Sequence, residues 1–376
     1  MRLIISSNKL NVAVQRIHFA VADKKMAFVS LKASKGENED DQSKVTIAST
    51  DSSLDIYSEH ACDVQGNGEC HVLAKLFMDM IRQLPDGEVG LSLEGRFLVI
   101  RTQEKTHFVM KIPIITEYVW IPEQPLIDSD TFDLQSAQVL YMISQLLFSL
   151  LPDLTYRFAD LGFLHQPSPR VLRLVATDTI KLSYSDIHCE LPENVLTEGV
   201  CFSRKALTAI AKVCEQGASK IQFSLSKDRT VCHVKTEGYD VYVRTTHASY
   251  PDYTGLMPTK IFEPIIIDRE MMIGMIKRVM LSADQTKILS FHFEEGIFTL
   301  SAHDTSDGRE TAPIDYQRKP MTFGLNGELL TTILGHIMST HISISFGGKG
   351  APLVLYGTNE PGDCLARHIM APISED

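Results

Sequence analysis

Lys75-Leu76-Phe77-Met78-Asp79-Met80-Ile81-Arg82-Gln83-Leu84-Pro85 leads into alternating strand patterns that run to Trp120-Ile121-Pro122, and the same unit is written twice more along the chain. It recurs at Arg204-Lys205-Ala206-Leu207-Thr208-Ala209-Ile210, with strands through Tyr250-Pro251-Asp252-Tyr253 to Met257-Pro258. A divergent third copy runs from Asn326-Gly327-Glu328-Leu329-Leu330 to Met370-Ala371-Pro372. Each copy is preceded by another amphipathic helix: Leu10 to Phe19, Gln135 to Phe148 and Arg269 to Met280. Between the two helices lies a strand-turn-strand unit, centred on Ser49-Thr50-Asp51, Ala176-Thr177-Asp178 and Ala302-His303-Asp304. A period of about 125 residues is too long for a solenoid repeat and is the length of a whole domain.

Punctuation places the boundaries. Pro122-Glu123-Gln124-Pro125 with Asp128-Ser129-Asp130, and Met257-Pro258-Thr259-Lys260, cannot continue a central strand. Three domains are expected, at residues 1–127, 128–258 and 259–376. Alternation predicts hairpins at Val89 to Leu93 with Phe97 to Arg101 and at Lys220 to Leu225 with Thr230 to Lys235, and strands at Ile342 to Phe346 and Leu353 to Gly357. The apolar-free run from Ser34 to Ser43 reads as a solvated hairpin tip.

Of the 376 residues, 44% are hydrophobic and 22% charged, an ordinary globular composition in which each domain can bury a core. No apolar run is long enough to cross a membrane, and Met1-Arg2-Leu3-Ile4-Ile5 turns polar too soon for a signal peptide, so a cytoplasmic protein is expected. Seven cysteines without CxxC spacing argue for reduced thiols, and Cys62, Cys70 and His71 fit no zinc pattern. Neither a metal nor a cofactor is expected.

The formal charge of −11 opposes nucleic-acid binding unless the positive residues are segregated. The helices supply such a pattern. Leu76, Phe77, Met80, Ile81 and Leu84 form one apolar stripe, while Lys75 and Arg82, seven apart, share a face away from it. The same spacing recurs in Lys9 with Arg16 and Lys205 with Lys212, and Lys277-Arg278 is a looser counterpart.

Two motifs are the most specific carriers of a resemblance, Leu174-Val175-Ala176-Thr177-Asp178 with Leu182 and then Tyr250-Pro251-Asp252-Tyr253 with Met257-Pro258, and the terminal Ile369-Met370-Ala371-Pro372-Ile373 gives weaker support. Arg204-Lys205 and Leu84-Pro85-Asp86-Gly87 add to it. Across nearly its whole length the chain resembles the bacterial β sliding clamps, the processivity subunits of DNA polymerase III. The resemblance implies an α+β fold of three similar domains, each with two helices packed against antiparallel sheets, closed into a ring by two subunits head to tail. It implies a protein without catalysis of its own that encircles duplex DNA without sequence preference. Its partners would be the polymerase III catalytic subunit, the clamp loader and other proteins with clamp-binding motifs.

Carried over by position, the peptide pocket would contain Thr177, Thr179, Ile180, Lys181, Leu182, Pro251, Gly255, Leu256, Pro352, Ile369, Met370, Ala371, Pro372 and Ile373. Lys24 and Lys25 would contact DNA, with Lys9, Arg16, Lys75, Arg82, Arg204, Lys205 and Lys212 lining the channel. Leu76, Met80 and Leu84 would meet Met280 and Leu281 at the dimer interface. The chain departs from the family's pattern where Gly255 replaces a frequent basic residue and Thr179-Ile180 a common Gly-His pair. Further departures are Arg157-Phe158-Ala159 near a frequent Tyr-Leu-Asn run and the acidic Ser374-Glu375-Asp376 end.

Two other classes stand beside the clamp. A hydrolase would use the His303, Asp304 and Asp307 loop, which also reads as a plain Asp-Gly hairpin. A three-domain scaffold would never touch DNA. No GxSxG, phosphate-loop or HExxH motif supports an enzyme.

Overall fold

The computed structural model describes residues 1–21, 27–36, 41–51, 53–102, 108–116, 131–151, 156, 158–192, 195–215, 219–246, 250–258, 263–303, 307–346 and 351–373. The order of elements repeats three times. The first repeat runs β1 (Arg2–Ser6), α1 (Ser7–Ile17), β2 (Phe28–Ser34), β3 (Lys44–Thr50), β4 (Leu54–Ala61), β5 (Asp63–Gly66), β6 (Gly68–Leu73), α2 (Ala74–Ile81), β7 (Glu88–Glu94), β8 (Phe97–Thr102) and β9 (Val109–Pro113). The second comprises β10 (Thr131–Gln135), α3 (Ser136–Ser144), β11 (Leu161–Ser168), β12 (Val171–Thr177), β13 (Lys181–His188), β14 (Val200–Ser203), α4 (Arg204–Cys214), β15 (Lys220–Leu225), β16 (Val231–Thr236) and β17 (Tyr239–Arg244). The third comprises β18 (Ile265–Asp268), α5 (Arg269–Val279), β19 (Ile288–Glu294), β20 (Ile297–His303), β21 (Asp307–Pro313), β22 (Met321–Asn326), α6 (Gly327–His336), β23 (His341–Phe346), β24 (Leu353–Gly357) and β25 (Cys364–Met370).

Two compact units are built from these repeats. One is Met1–Ala137 with Lys205–His247. It contains a five-stranded sheet, β5-β1-β7-β8-β9, and an eight-stranded sheet, β10-β15-β16-β17-β4-β3-β2-β6. The other is Gln138–Arg204 with Ala248–Asp376, containing β14-β11-β12-β13-β25-β24-β23-β18 and β21-β20-β19-β22. Each unit takes half of the second repeat, because β17 is hydrogen-bonded to β4 and β13 to β25, so a continuous ladder crosses each repeat boundary. The strand pairs in both units are antiparallel.

Local patterning accounts for the elements. In α1, Leu10, Ala13, Val14 and Ile17 recur at helical spacing and are fully buried. In β19, Leu289, Phe291 and Phe293 alternate with more exposed residues and join Phe298, Leu330 and Ile342 in the core of the second unit. Asp268 and Asn326 cap α5 and α6, accepting from the Met271 and Leu329 backbone N–H groups at 2.7 and 2.8 Å. The expected hairpins and strands form, but α3 ends at Ser144, short of Phe148, and continues into a 3₁₀ turn at Leu147–Ser149.

Helix α2 differs from its expected single stripe. Ala74, Phe77, Met78 and Ile81 are buried, whereas Leu76 is exposed and Met80 and Leu84 are half-buried. Residues 76 and 80 thus lie on a second apolar row, because a four-residue step drifts little around a helix while the core claims the 74, 77, 78, 81 side; Leu84 lies three residues past the end of α2.

Candidate functional site

The motif residues converge at the start of β13. Lys181 lies opposite Met370 and Leu182 opposite Ile369, while Val354 of β24 also faces Ile369. Val175, Leu182, Tyr253, Val354 and Ile369 form one buried cluster, with Phe163, Tyr184, Tyr250 and Met257 packed against it. The Tyr250 ring stacks on Phe163 at 5.0 Å between centroids, and its hydroxyl donates to the Val175 carbonyl at 3.4 Å. Tyr253 hydrogen-bonds His165 Nε2 at 2.6 Å. Asp252 accepts from the Thr254 N–H at 3.0 Å and starts the turn Thr254–Leu256, which leaves Leu256 52% exposed.

The turn from Thr177 to Leu182 is tied down by its own side chains. Asp178 Oδ1 accepts from the Ile180 and Lys181 N–H groups at 3.1 and 2.9 Å, and Thr177 Oγ1 donates to the Lys181 carbonyl at 2.8 Å. Thr179 has a φ of 79°, a left-handed conformation that disfavours β-branched residues. Its neighbour Ile180 is 69% exposed, an apolar side chain held outward beside an apolar floor.

Two residues assigned to the pocket have side chains that are turned away from its surface. Met370 is buried in the core of the second unit, not in the cluster that holds Ile369, because successive strand residues face opposite ways. Lys181 is also buried, its ammonium ion-paired to Asp178, so it braces the turn instead of facing a partner. Thr177 is buried as well. Pro251, Pro352 and Pro372 are half-buried, while Gly255, Ala371 and Ile373 are exposed. A Cβ on Gly255 would meet nothing within 4 Å, so the missing side chain leaves open space. Ile373 is pinned to Gly324 of β22 by reciprocal backbone hydrogen bonds of 2.8 and 3.0 Å.

The basic residues divide into three groups. Lys9 and Lys75 are exposed, with no ion pair among the described residues. Lys205, Lys212 and Arg82 are exposed but paired with Asp51, Glu215 and Asp79, and Arg204 donates to the Leu150 carbonyl at 3.1 Å. Hydrogen bonds from Lys205 and Ser53 outweigh burial and hold the Asp51 carboxyl below its usual range. Arg16 does not fit a channel-lining role: it is buried with its guanidinium 4.6 Å from the Tyr239 ring centre. Helical spacing alone could not reveal this, since β17 supplies the ring. Lys24 and Lys25 lie outside the described residues.

Among the expected interface residues, Leu281 is 87% exposed, whereas Met280 is half-buried and packed towards Gly327. The hydrolase loop is the tip of the β20–β21 hairpin, with His303 opposite Asp307; Asp304 lies outside the described residues. Among the described residues no His, Cys, Asp and Glu group could hold a metal. None of the seven cysteines is in a disulfide, and burial pushes Cys62 up to about 11 and Cys70 up to about 12.

Three repeats of two helices and antiparallel strands, joined through shared sheets, define the architecture of a DNA-clamp subunit. Sequence profiles of the N-terminal and C-terminal domains of the DNA polymerase III beta subunit match residues 1–121 and 254–373. The chain belongs to that family, the β sliding clamps. It is 23% identical to the beta sliding clamp of Synechococcus elongatus over 94% of this chain and 95% of that one. The Bacillus subtilis beta sliding clamp is 20% identical, over 96% and 97%. Among solved structures, the Thermotoga maritima DNA polymerase III beta subunit superposes with a TM-score of 0.86 at 20% identity, and that of Pseudomonas aeruginosa with 0.84 at 17%, each covering both chains fully.

Proposed function

We propose that two copies of this chain close head to tail around duplex DNA and hold the replicative polymerase and other motif-bearing proteins on it. The observation that supports this reading is the way the repeats join. At each internal boundary the last strand of one repeat lies on an inner strand of the repeat before it, the same inner strand both times, β17 on β4 and β25 on β13. Among the described residues, the remaining equivalents, β9 and β21, are paired on one side only. A single copy leaves that matching pair of edges open, and a second copy satisfies both.

The three repeats are read as clamp domains, and the exposed Lys9 and Lys75 as part of a lining that meets phosphates without reading bases. Ile180, Leu256 and Ile373 supply exposed apolar contacts beside the buried Leu182–Ile369 floor, suited to the anchors of a short peptide. The chain acts by retention and tethering, not by catalysis. Loading onto nicked circular DNA tests this directly: a clamp stays on the circle through gel filtration and leaves on linearisation. Equal release from circular and linear DNA overturns the reading.

A further inference from the structure

The first unit holds an open cavity of about 390 Å³, the size of a small-ligand site. Asn8, Lys9 and Val12 of α1 form one wall. His60, near the end of β4, and Thr236 and Tyr239, on either side of the β16–β17 turn, form the others. The Glu59 N–H donates to the Gly238 carbonyl at 2.9 Å, which fastens that turn to β4 and makes the cavity a built feature of the fold.

The groups around it leave positive charge unbalanced. Arg16, seven residues after Lys9 on the same face of α1, is only 7% exposed, and its Nη1 has no hydrogen-bond partner among the described residues. Its guanidinium lies over the Tyr239 ring, and the same ring meets His60 at 5.9 Å between centroids. Among the described residues no carboxylate pairs with Arg16 or Lys9. A buried cation without a counter-ion is costly, so the chain leaves this charge for an outside group to balance. Thr236 is buried too, and its Oγ1 lacks a partner. Of the two carboxylates at the cavity, Glu59 is neutralised by Lys44 at 2.8 Å and Glu237 is exposed.

His60 reports the local field. Burial first, then Lys9 and Arg16, lower its pKa to about 4 against an opposing pull from Glu59, so the ring is neutral at pH 7 beside two cations.

We propose that this cavity binds a small phosphate monoester, its dianionic head group held by Lys9 and the Asn8 amide in the field of Arg16 and its apolar body lying on Val12 and Val213. Two uncompensated cations match two negative charges, and hydrogen bonds to an ionised oxygen are shorter and stronger than those to a neutral one. The occupant is a free small molecule, so the site goes beyond retention on duplex DNA and does not depend on it.

Phenyl phosphate is the probe, titrated into the full chain at neutral pH by calorimetry and by NMR of the histidine side chains, with His60 assigned through His60→Gln. One equivalent should bind, and the bound anion should raise the His60 titration midpoint, because it favours the protonated ring. Phenol, the same body without the charge, should not bind. Lys9→Gln should weaken the probe several-fold, as should Arg16→Met in a chain whose melting curve shows it folded. Absence of saturable binding overturns the site, and so does binding that leaves His60 unmoved, survives Lys9→Gln or is matched by phenol. Affinity for a short DNA duplex with none for phenyl phosphate would assign these cations to the channel lining; that result overturns the small-ligand site and leaves the clamp reading standing.

Discussion

Ser183 and His368 face each other across the β13–β25 junction, with the imidazole Nδ1 3.0 Å from the serine Oγ, which in turn lies 2.9 Å from Ser149 Oγ. His368 is 1% exposed, and burial, with His336 and Arg367 nearby, pushes its pKa down to about 3. The strand contact between two repeats thus encloses a neutral histidine.

That enclosure predicts acid sensitivity. An unfolded chain protonates this histidine below about 6.5, but the folded chain resists, so its stabilising effect is complete above pH 6.5 and is lost as the pH falls towards 3. The loss should approach about 1.4 kcal/mol per pH unit for each such group. His165 and His60, lowered by burial to about 4, act in the same direction. Denaturant titrations from pH 7.5 to 4.5 should show the decline, and His368→Gln should flatten it by nearly one proton. An unchanged slope in that variant would place the sensitivity elsewhere.

Thr179 predicts a stabilising substitution. At a φ of 79° its β-branched side chain is strained, and glycine adopts this conformation freely. Thr179→Gly should raise stability by about 1 kcal/mol, the difference between relief of the left-handed penalty and added chain entropy. Urea unfolding decides it, and a lower midpoint would mean that the Thr179 side chain compensates its own strain.

Ile180 and Met370 should separate binding from folding. Ile180→Asp removes an exposed apolar contact and should weaken a motif peptide by about tenfold, with little change in stability. Met370→Ala empties a core position and should cost about 2–4 kcal/mol of stability. Calorimetric titration and thermal melts on both variants check the assignment. A Met370 variant that lost only peptide affinity would return that side chain to the pocket.

Lys9 and Arg16 predict opposite outcomes on DNA. Lys9→Ala should flatten the salt dependence of DNA association by roughly one phosphate contact. Arg16→Ala should leave that slope alone and lower stability, because its guanidinium is stacked on Tyr239. Equal slopes for Lys9→Ala and wild type would remove Lys9 from the lining.

Leu281, 87% exposed, predicts the assembly outcome. Leu281→Asp would bury an uncompensated charge in a closed interface and should give monomers at micromolar concentration. Light scattering that still reads a full dimer would move the interface away from this turn.

The repeat, the helices and the strand-turn-strand units were legible in the sequence because each depends on neighbours a few residues away. Hydrophobic period reports which residues of one element share a face, and that information survives without the fold. Its limit shows at α2, where Leu76 and Phe77 looked alike but only Phe77 is fully buried. The motif segments around Thr177, Tyr250 and Ile369 likewise come together in the fold. The identities of the residues beside them were not decided at the level of sequence. Ile369 and Met370 are adjacent and both apolar, and only pairing with β13 and β24 assigns one to the Leu182 cluster and the other to the core. Arg16 and Lys181 read as available cations, but Tyr239 and Asp178 claim them from other segments or across a turn. Which charge is free and which face is covered depend on long-range partners, and chain order carries no distance between them until the sheets form.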